Sequence, residues 1–452
     1  MKSSGKSSVK RNVLLGMCPK RYIAILGIGI MPLLIGGCDR QETIAYFNSE
    51  TAETVDNISE TEDVVDNEAG DAVANGTAEV GSGQNEVIEE TEEPYTGPTV
   101  SLVMVGDILF HTPVAESGVQ EDGSYNYDAL FTNVKDEIGA ADLALVNQEV
   151  IIGGEALGIS GYPSFNAPYE LGDALAEAGF DVVLHATNHT LDQGKKGVRN
   201  CLSFWKNQHP EMAVVGINES QDAQNNNIYV YEQDSIRIAI LNYTYGTNGI
   251  ELPSDMPYAV NLLEEEKVVA DIEKAKEEAD FIIVCPHWGT EYQLTPSGEQ
   301  ERWTEIFLEN GVDLVIGTHP HVIQPIEWIS REDETAAGTG AADADGMLVY
   351  YSLGNFLNWT SSSGEGIANR MVGGMAEVTI GIDESGDAFI VDYGVEPLVC
   401  HLTEGANGVT TYLLEDYSEE MASENAIVQQ DDAFSKEYCE ALCEEVWGTL
   451  KE

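Results

Sequence analysis

Val312-Asp313-Leu314-Val315-Ile316-Gly317-Thr318-His319-Pro320-His321-Val322-Ile323-Gln324 is a short apolar run that stops at a glycine and continues into two histidines one residue apart. The run reads as a buried strand of a parallel sheet. In an extended segment, side chains two apart point to the same side, so His319 and His321 would aim at one common point. Pro320 favours that geometry, because it disfavours the helical conformation at the residue before it. Two imidazoles converging at the C-terminal end of an α/β strand are what a metal site needs. The competing reading is a pair of loop histidines satisfied by backbone hydrogen bonds, and the rest of the chain decides between the two.

Polar residues fall just past other apolar strands in the same way. Val103-Met104-Val105 runs into Asp107, with His111 beyond, and Leu143-Ala144-Leu145-Val146 runs into Asn147 and Glu149. Val182-Val183-Leu184 leads to Asn188 and His189, and Ile282-Ile283-Val284 leads to His287 and Glu291. The chain has 8 histidines, and His111, His189, His287, His319 and His321 all follow such a strand. In a parallel sheet those ends share one rim, where ligands bind. Helical patterns at Ala129 to Ile138, Pro168 to Ala178, Leu191 to Asn207, Glu264 to Ala279 and Gly298 to Glu309 alternate with the strands. That alternation predicts an α/β fold whose largely parallel sheet is covered on both faces.

Past Gln324 the texture changes. Pro325 to Ser330 and Met347 to Ser352 read as strands on either side of an acidic loop. Met371 to Ile382 and Ala388 to Val395 alternate around the hairpin signal Asp383-Glu384-Ser385-Gly386. The second half therefore adds antiparallel strands, and Asp431 to Lys451 reads as a terminal amphipathic helix.

The donor set past the strands is carboxylate, amide and imidazole without thiolate. It suits one or two divalent ions such as Mn, Zn or Fe, and a site for hydrolysis. The alternative is a polar rim of loops that holds no ion.

With 79 acidic against 21 basic residues the net charge is −58, which argues against nucleic acid as a partner and against adhesion to anionic lipid by charge alone. The N-terminus supplies an address. Lys2, Lys6, Lys10, Arg11, Lys20 and Arg21 precede the apolar stretch Tyr22 to Ile35, which ends in Ile35-Gly36-Gly37-Cys38. This ending resembles a bacterial lipobox. The resemblance implies a lipoprotein signal peptide over residues 1–37, lipidation of Cys38, and a protein anchored on the outer face of the cell membrane. An uncleaved signal anchor is the alternative.

From Gln41 to Gly97 there is no Lys or Arg and hardly an aromatic residue, so residues 38–97 read as a disordered acidic tether. A folded domain spans 98–400, and 401–452 is a C-terminal extension with the terminal helix. Cys201, Cys285, Cys400, Cys439 and Cys443 show no disulfide or zinc-finger spacing.

Six motifs occur in order: Gly106-Asp107, Asn147-Gln148-Glu149, Asn188-His189 with Asp192, His287-Trp288-Gly289-Thr290-Glu291, Gly317-Thr318-His319-Pro320-His321 and Ser352-Leu353-Gly354-Asn355-Phe356. Together they resemble the CapA capsule-synthesis family, the poly-γ-glutamate accessory proteins, which is similar to the calcineurin-like metallophosphoesterases. The resemblance runs from about Val100 to about Leu398. It implies a two-sheet sandwich flanked by helices. It also implies Asp107 as first metal ligand, Glu149 or Asn147 at the bridging position, and Asn188, His287, His319 and His321 as further ligands.

By the same resemblance His189 is the candidate general acid, with Asp192 beside it. Leu109 stands where the superfamily has a histidine, and His111 lies close by. Lys195, Lys196 and Arg199 form a small basic cluster, Trp288, Tyr292 and Phe356 read as packing, and Glu291 as a partner that orients a ligand histidine.

The implied function is an accessory role in the synthesis, export or anchoring of poly-γ-glutamate or a related anionic surface polymer, beside its membrane synthesis machinery. A metal-dependent phosphoesterase or amide hydrolase is the enzymatic alternative. A non-catalytic, metal-containing polymer-binding protein is the third.

Overall fold

The structure, a computed structural model, describes residues 95–331, 346–403 and 408–448. The signal segment, Cys38 and the tether up to residue 94 lie outside the described residues, as does the acidic loop at 332–345.

Two mixed sheets face each other. The first begins with β1 (Thr99–Ile108), β2 (Leu143–Asn147), β3 (Val182–Leu184) and β4 (Ala213–Val215), all parallel. The second holds β5 (Tyr229–Gln233), β6 (Ile236–Thr244), β7 (Phe281–His287), β8 (Leu314–Ile316), β9 (Ile326–Ser330) and β10 (Gly346–Tyr350), in the order β5-β6-β7-β8-β10-β9. The chain then returns to the first sheet through β11 (Asn355–Leu357), β12 (Val372–Ile382), β13 (Ala388–Leu402) and β14 (Val409–Leu413). The first sheet runs β14-β13-β12-β1-β2-β3-β4, with β11 parallel to β1.

Period-two alternation builds the layers. Along β1, Leu102 and Met104 point between the sheets, where they meet Leu145, Leu184, Ile283 and Ile316. Val103 and Val105 point outward, onto a helical layer that includes Leu171, Leu175 and Phe204. The far face of the second sheet is covered by helices Glu265–Glu278 and Gly298–Glu309 through Val268, Ile272, Trp303 and Phe307. The result is the expected two-sheet sandwich flanked by helices, with the antiparallel strands in the second half. Each fully buried Val, Leu, Ile or Phe of these layers contributes about 1.5–3 kcal/mol.

The helix expected over Ala129 to Ile138 is broken. A 3-10 turn at Asp128–Leu130 precedes a short helix at Lys135–Ala140. Phe131 and Val134, in the turn between, are buried in the core, and Asn133 Nδ2 donates to Thr410 Oγ1 at 2.9 Å. Burial of those side chains against the sheet overrides the local helical preference.

Residues after 402 close the first sheet. β14 pairs antiparallel with β13, and Tyr417, Ile427, Cys439 and Leu442 bury in the same layer as Val103 and Val105. The five cysteines of the described residues are buried and free.

Candidate metal centre

The strand registers bring the polar ends together. In the first sheet Asp107 is level with Asn147 on one side and Asn355 on the other. In the second, Thr244 is level with His287, which bridges to Thr318. Asp107 can enter because β1 and the turn before β11 nearly touch: a Cβ on Gly106 would meet the Gly354 carbonyl oxygen at 2.1 Å.

The His-Pro-His segment converges for a reason other than the expected one. His319 and His321 have φ of 100° and 58°, so they occupy left-handed turn positions and not an extended strand. The strand itself ends at Ile316. The turn is pinned where His319 N donates to Asp107 Oδ2 at 3.1 Å and Thr318 N donates to Pro286 O at 3.0 Å. Left-handed non-glycine backbone costs of order 1–3 kcal/mol and persists only where its surroundings over-determine it.

The side chains of the six expected ligands form one contiguous cluster. His321 Nδ1 is 3.2 Å from Asp107 Oδ2, and its Nε2 is 3.6 Å from Glu149 Oε1. His287 Nε2 lies 3.0 Å from Asn188 Oδ1 and 3.8 Å from Glu149 Oε1. The His319 ring is 4.8 Å from the His287 ring and 5.7 Å from the His321 ring, centre to centre. One ligand atom from each of Glu149, His319 and His321 falls within 4.8 Å of the other two, which makes these three a candidate divalent-metal group.

The pattern of satisfied and unsatisfied atoms fits a cation. Glu149 Oε1 and Oε2, His319 Nδ1 and Asn147 Oδ1 are buried and have no hydrogen-bond partner among the described residues. Buried polar atoms in that state are costly unless something else pairs with them. Carboxylate oxygens and a bare imidazole nitrogen directed at one point are the donors that Mn, Zn or Fe takes. Asp107 differs, since its Oδ1 accepts from Asn147 Nδ2 at 2.7 Å and its Oδ2 from the His319 backbone.

Electrostatics follow from burial. Desolvation and the neighbouring Asp107 raise Glu149 well above the usual carboxylate range, against the pull of His321. Burial would lower His321, but Glu149 and Asp107 outweigh it and hold the imidazole up to about 10. Burial and the other imidazoles keep His287 and His319 well below 6.5, hence neutral and able to ligate.

His189 and Asp192 form a pair beside this cluster. His189 Nδ1 lies 2.8 Å from Asp192 Oδ2, which also accepts from Phe165 N at 2.7 Å, and His189 Nε2 stands 4.0 Å from Glu149 Oε1. His111 stays out of the group of three. Its ring lies against Phe165 and Trp359, with centres 5.2 and 5.8 Å away, and burial together with His321, His189 and Arg370 lowers it to about 4.

Two expectations are corrected. Among the described residues no hydrogen bond joins Glu291 to a histidine; the ring of His287 is held by Thr318 Oγ1 at 3.0 Å and that of His321 by Asn355 Oδ1 at 3.0 Å. Tyr292 is not packing: it is 42% exposed, with the Arg370 guanidinium 3.5 Å above its ring. Trp288 and Phe356 do bury as expected. In the basic cluster, Lys195 pairs with Asp255 at 2.6 Å.

The sequence reading missed Thr318, Tyr245, Asn248 and Arg370. The Tyr245 ring lies against that of His319, tilted by 45° with centres 4.6 Å apart, and Asn248 Nδ2 lies 3.4 Å from His189 Nδ1. Both follow the end of β6, a strand end the same rule could have flagged.

Comparison with known proteins bears on this geometry. The family described as "Bacterial capsule synthesis protein PGA_cap" matches residues 101–360. The "PGA biosynthesis protein CapA" of Bacillus subtilis (strain 168) is 26% identical over 283 residues, 59% of this chain and 66% of that protein. The "Capsule biosynthesis protein CapA" of Bacillus anthracis is 28% identical over 279 residues, 58% of this chain and 61% of that protein. The matched segment thus spans less than two thirds of either relative.

Among solved structures, Haemophilus influenzae NAD nucleotidase is 12% identical, with 67% of this chain and 58% of that one covered and a TM-score of 0.39. The calcineurin-like phosphoesterase YfkN from Bacillus subtilis is 15% identical, with 76% and 100% covered and a TM-score of 0.36. Matched over residues 101–360, more than half its length, this chain belongs to the bacterial capsule synthesis protein PGA_cap family.

Proposed function

We propose that the chain is a divalent-metal-dependent hydrolase of the phosphoesterase type that serves the assembly of an anionic cell-surface polymer such as poly-γ-glutamate. The observation that carries the chemistry is Glu149, a fully buried carboxylate with both oxygens unpaired, facing His319 and His321. Glu149, His319 and His321 would hold the ion, with Asn147, Asn188 and His287 around it and Asp107 fixing the His319 turn. Bound there, a divalent ion supplies Lewis acidity toward a phosphoryl or carbonyl oxygen. His189, oriented by Asp192, would protonate the leaving group as general acid. The names of the CapA relatives support the polymer setting.

Secretion and lipid anchoring through Cys38 belong to this proposal and rest on the N-terminal sequence. Among the described residues no helix is long and apolar enough to cross a membrane.

A second reading is a metal-containing polymer-binding protein without turnover. Leu109 in place of an imidazole, and His111 held apart from the ligand group, favour it. The test is elemental analysis of the purified protein with hydrolysis of a phosphomonoester, a phosphodiester and a γ-linked glutamyl peptide. Metal with turnover supports the hydrolase and metal without turnover the binding protein. No uptake of Mn, Zn or Fe after reconstitution would end both.

A further inference from the structure

In a chain of net charge −58, cations are quenched by nearby carboxylates: Arg237 and Lys267, for example, sit 2.6 and 2.5 Å from Asp280 and Asp271. Arg370 is an exception beside the metal centre. Among the described residues no carboxylate lies within ion-pair reach of it, and its one side-chain hydrogen bond runs from Nη1 to Thr360 Oγ1 at 3.2 Å. A guanidinium has five N–H donors, so most of its fork stays free.

The guanidinium is held in place from two sides. It lies 3.5 Å over the ring of Tyr292, whose centre is 6.0 Å from that of the His321 ring. Tyr292 itself is fixed at φ 66°, with its N–H donating to Pro320 O at 2.7 Å. The Arg370 backbone is tied to the same histidine, because Asn355 Nδ2 donates to Arg370 O at 2.9 Å while Asn355 Oδ1 accepts from His321 Nδ1 at 3.0 Å. One asparagine thus sets the spacing between a candidate metal ligand and an unpaired guanidinium.

We propose that Arg370, carried on Tyr292, is the anion receptor of this site and binds a carboxylate or phosphate group of the substrate next to the bond that is cleaved. The inference rests on the hydrolase reading above and names its substrate class, a molecule with fixed negative charge beside the scissile bond. Stacking on an aromatic face fixes the plane of a guanidinium and leaves its edge for two-pronged recognition of an oxyanion. In so acidic a protein an anionic substrate needs such a local positive site.

The test titrates inorganic phosphate and glutarate into the full-length wild-type protein, Arg370→Gln and Arg370→Lys, with and without Mn, and measures metal content in each. Arg370→Gln should weaken anion binding at least about tenfold, as removal of a charged hydrogen-bonding partner does, with Mn content unchanged. Arg370→Lys should recover only part, since a point charge cannot replace the fork. Preference for glutarate over phosphate, or the reverse, assigns the charged group. Equal anion affinity in wild type and Arg370→Gln, with or without Mn, would overturn the receptor while leaving the hydrolase reading intact. Failure of the wild type to take up any divalent metal would instead overturn the hydrolase reading, and the metal-free titrations would still decide on Arg370.

Discussion

Asn355 Oδ1 lies 3.0 Å from His321 Nδ1, and since an amide oxygen can only accept, the imidazole must carry its proton on Nδ1. The amide nitrogen fixes this orientation by donating to the His321 and Arg370 carbonyl oxygens at 3.0 and 2.9 Å. A neutral His321 therefore presents Nε2 toward Glu149, as a ligand requires. Asn355→Leu removes that constraint, and Mn affinity should fall roughly 10–100-fold, as it does when partners of ligand histidines are lost. Calorimetric titration checks it; an unchanged affinity would mean the ring is held by Asp107 alone.

His321 also sets a pH dependence. Its folded-state value of about 10 lies above the 6.5 of a free histidine, so the stability it contributes is complete below 6.5 and is lost as pH rises through 10. A metal needs the neutral ring, so between pH 7 and 9 uptake should expel at least about one proton, with affinity rising by up to about tenfold per pH unit. Titrations in two buffers of different protonation enthalpy measure the proton count. A count of zero with a flat pH profile would exclude His321 as a ligand.

Glu149 separates metal binding from folding. Its raised value means that the metal-free fold favours the protonated acid, so Glu149 costs stability as pH rises above the usual carboxylate range. Because the same carboxylate also pairs with the His321 imidazolium, Glu149→Gln should change thermal stability in chelator little at pH 8. It should also abolish the gain from metal, which for wild type at a hundredfold excess over Kd is about 2.7 kcal/mol. Melting curves with chelator and with Mn test both halves, and a variant that still gains stability from Mn would remove Glu149 from the site.

Much of this centre was legible because strand ends are legible. Apolar runs stopping at Asp107, Asn147, Asn188 and His287 mark one rim whatever the loops do, and the register of β1 with β2 and of β6 with β7 then aligns them. The backbone of the His-Pro-His turn was not legible. The rule that places alternate residues on one side holds for strands, whereas here positive φ at both histidines does the work, stabilised by contacts with Asp107 and Pro286 that are distant in sequence. Arg370 left no signal either, since it sits in a 3-10 turn and reaches the site only through the fold of β11 against β1.

The His189–Asp192 pair predicts a kinetic split. Neither residue belongs to the group of Glu149, His319 and His321, and Asp192 is 2.8 Å from His189 Nδ1. In a turnover assay His189→Gln should lower kcat by about 10²–10⁴, the range for a general acid, with Mn content unchanged. Asp192→Asn should produce a smaller loss of the same kind. If His189→Gln lost its metal instead, the imidazole would be a ligand and the general-acid role would fall.

Gly317 offers a test of how tightly the turn is built. A Cβ there would meet Tyr351 O at 2.2 Å and Trp288 Nε1 at 2.3 Å, and those two atoms are joined by a buried 3.0 Å hydrogen bond. Gly317→Ala must push them apart, and overpacking of that kind costs about 1–3 kcal/mol before any loss of the hydrogen bond. Because Trp288 adjoins His287 and Gly317 precedes Thr318, which holds the His287 ring, the same strain should reach the metal centre. Gly317→Ala should therefore lower Tm and weaken Mn binding together. Gly298→Ala is the control: it sits at the start of a helix with nothing within 4 Å of the added carbon, and should be neutral or stabilising by up to about 1 kcal/mol. Thermal melts and Mn titrations on both variants decide the matter. A Gly317→Ala protein as stable as wild type would show that the turn, and with it His319 and His321, is free to shift.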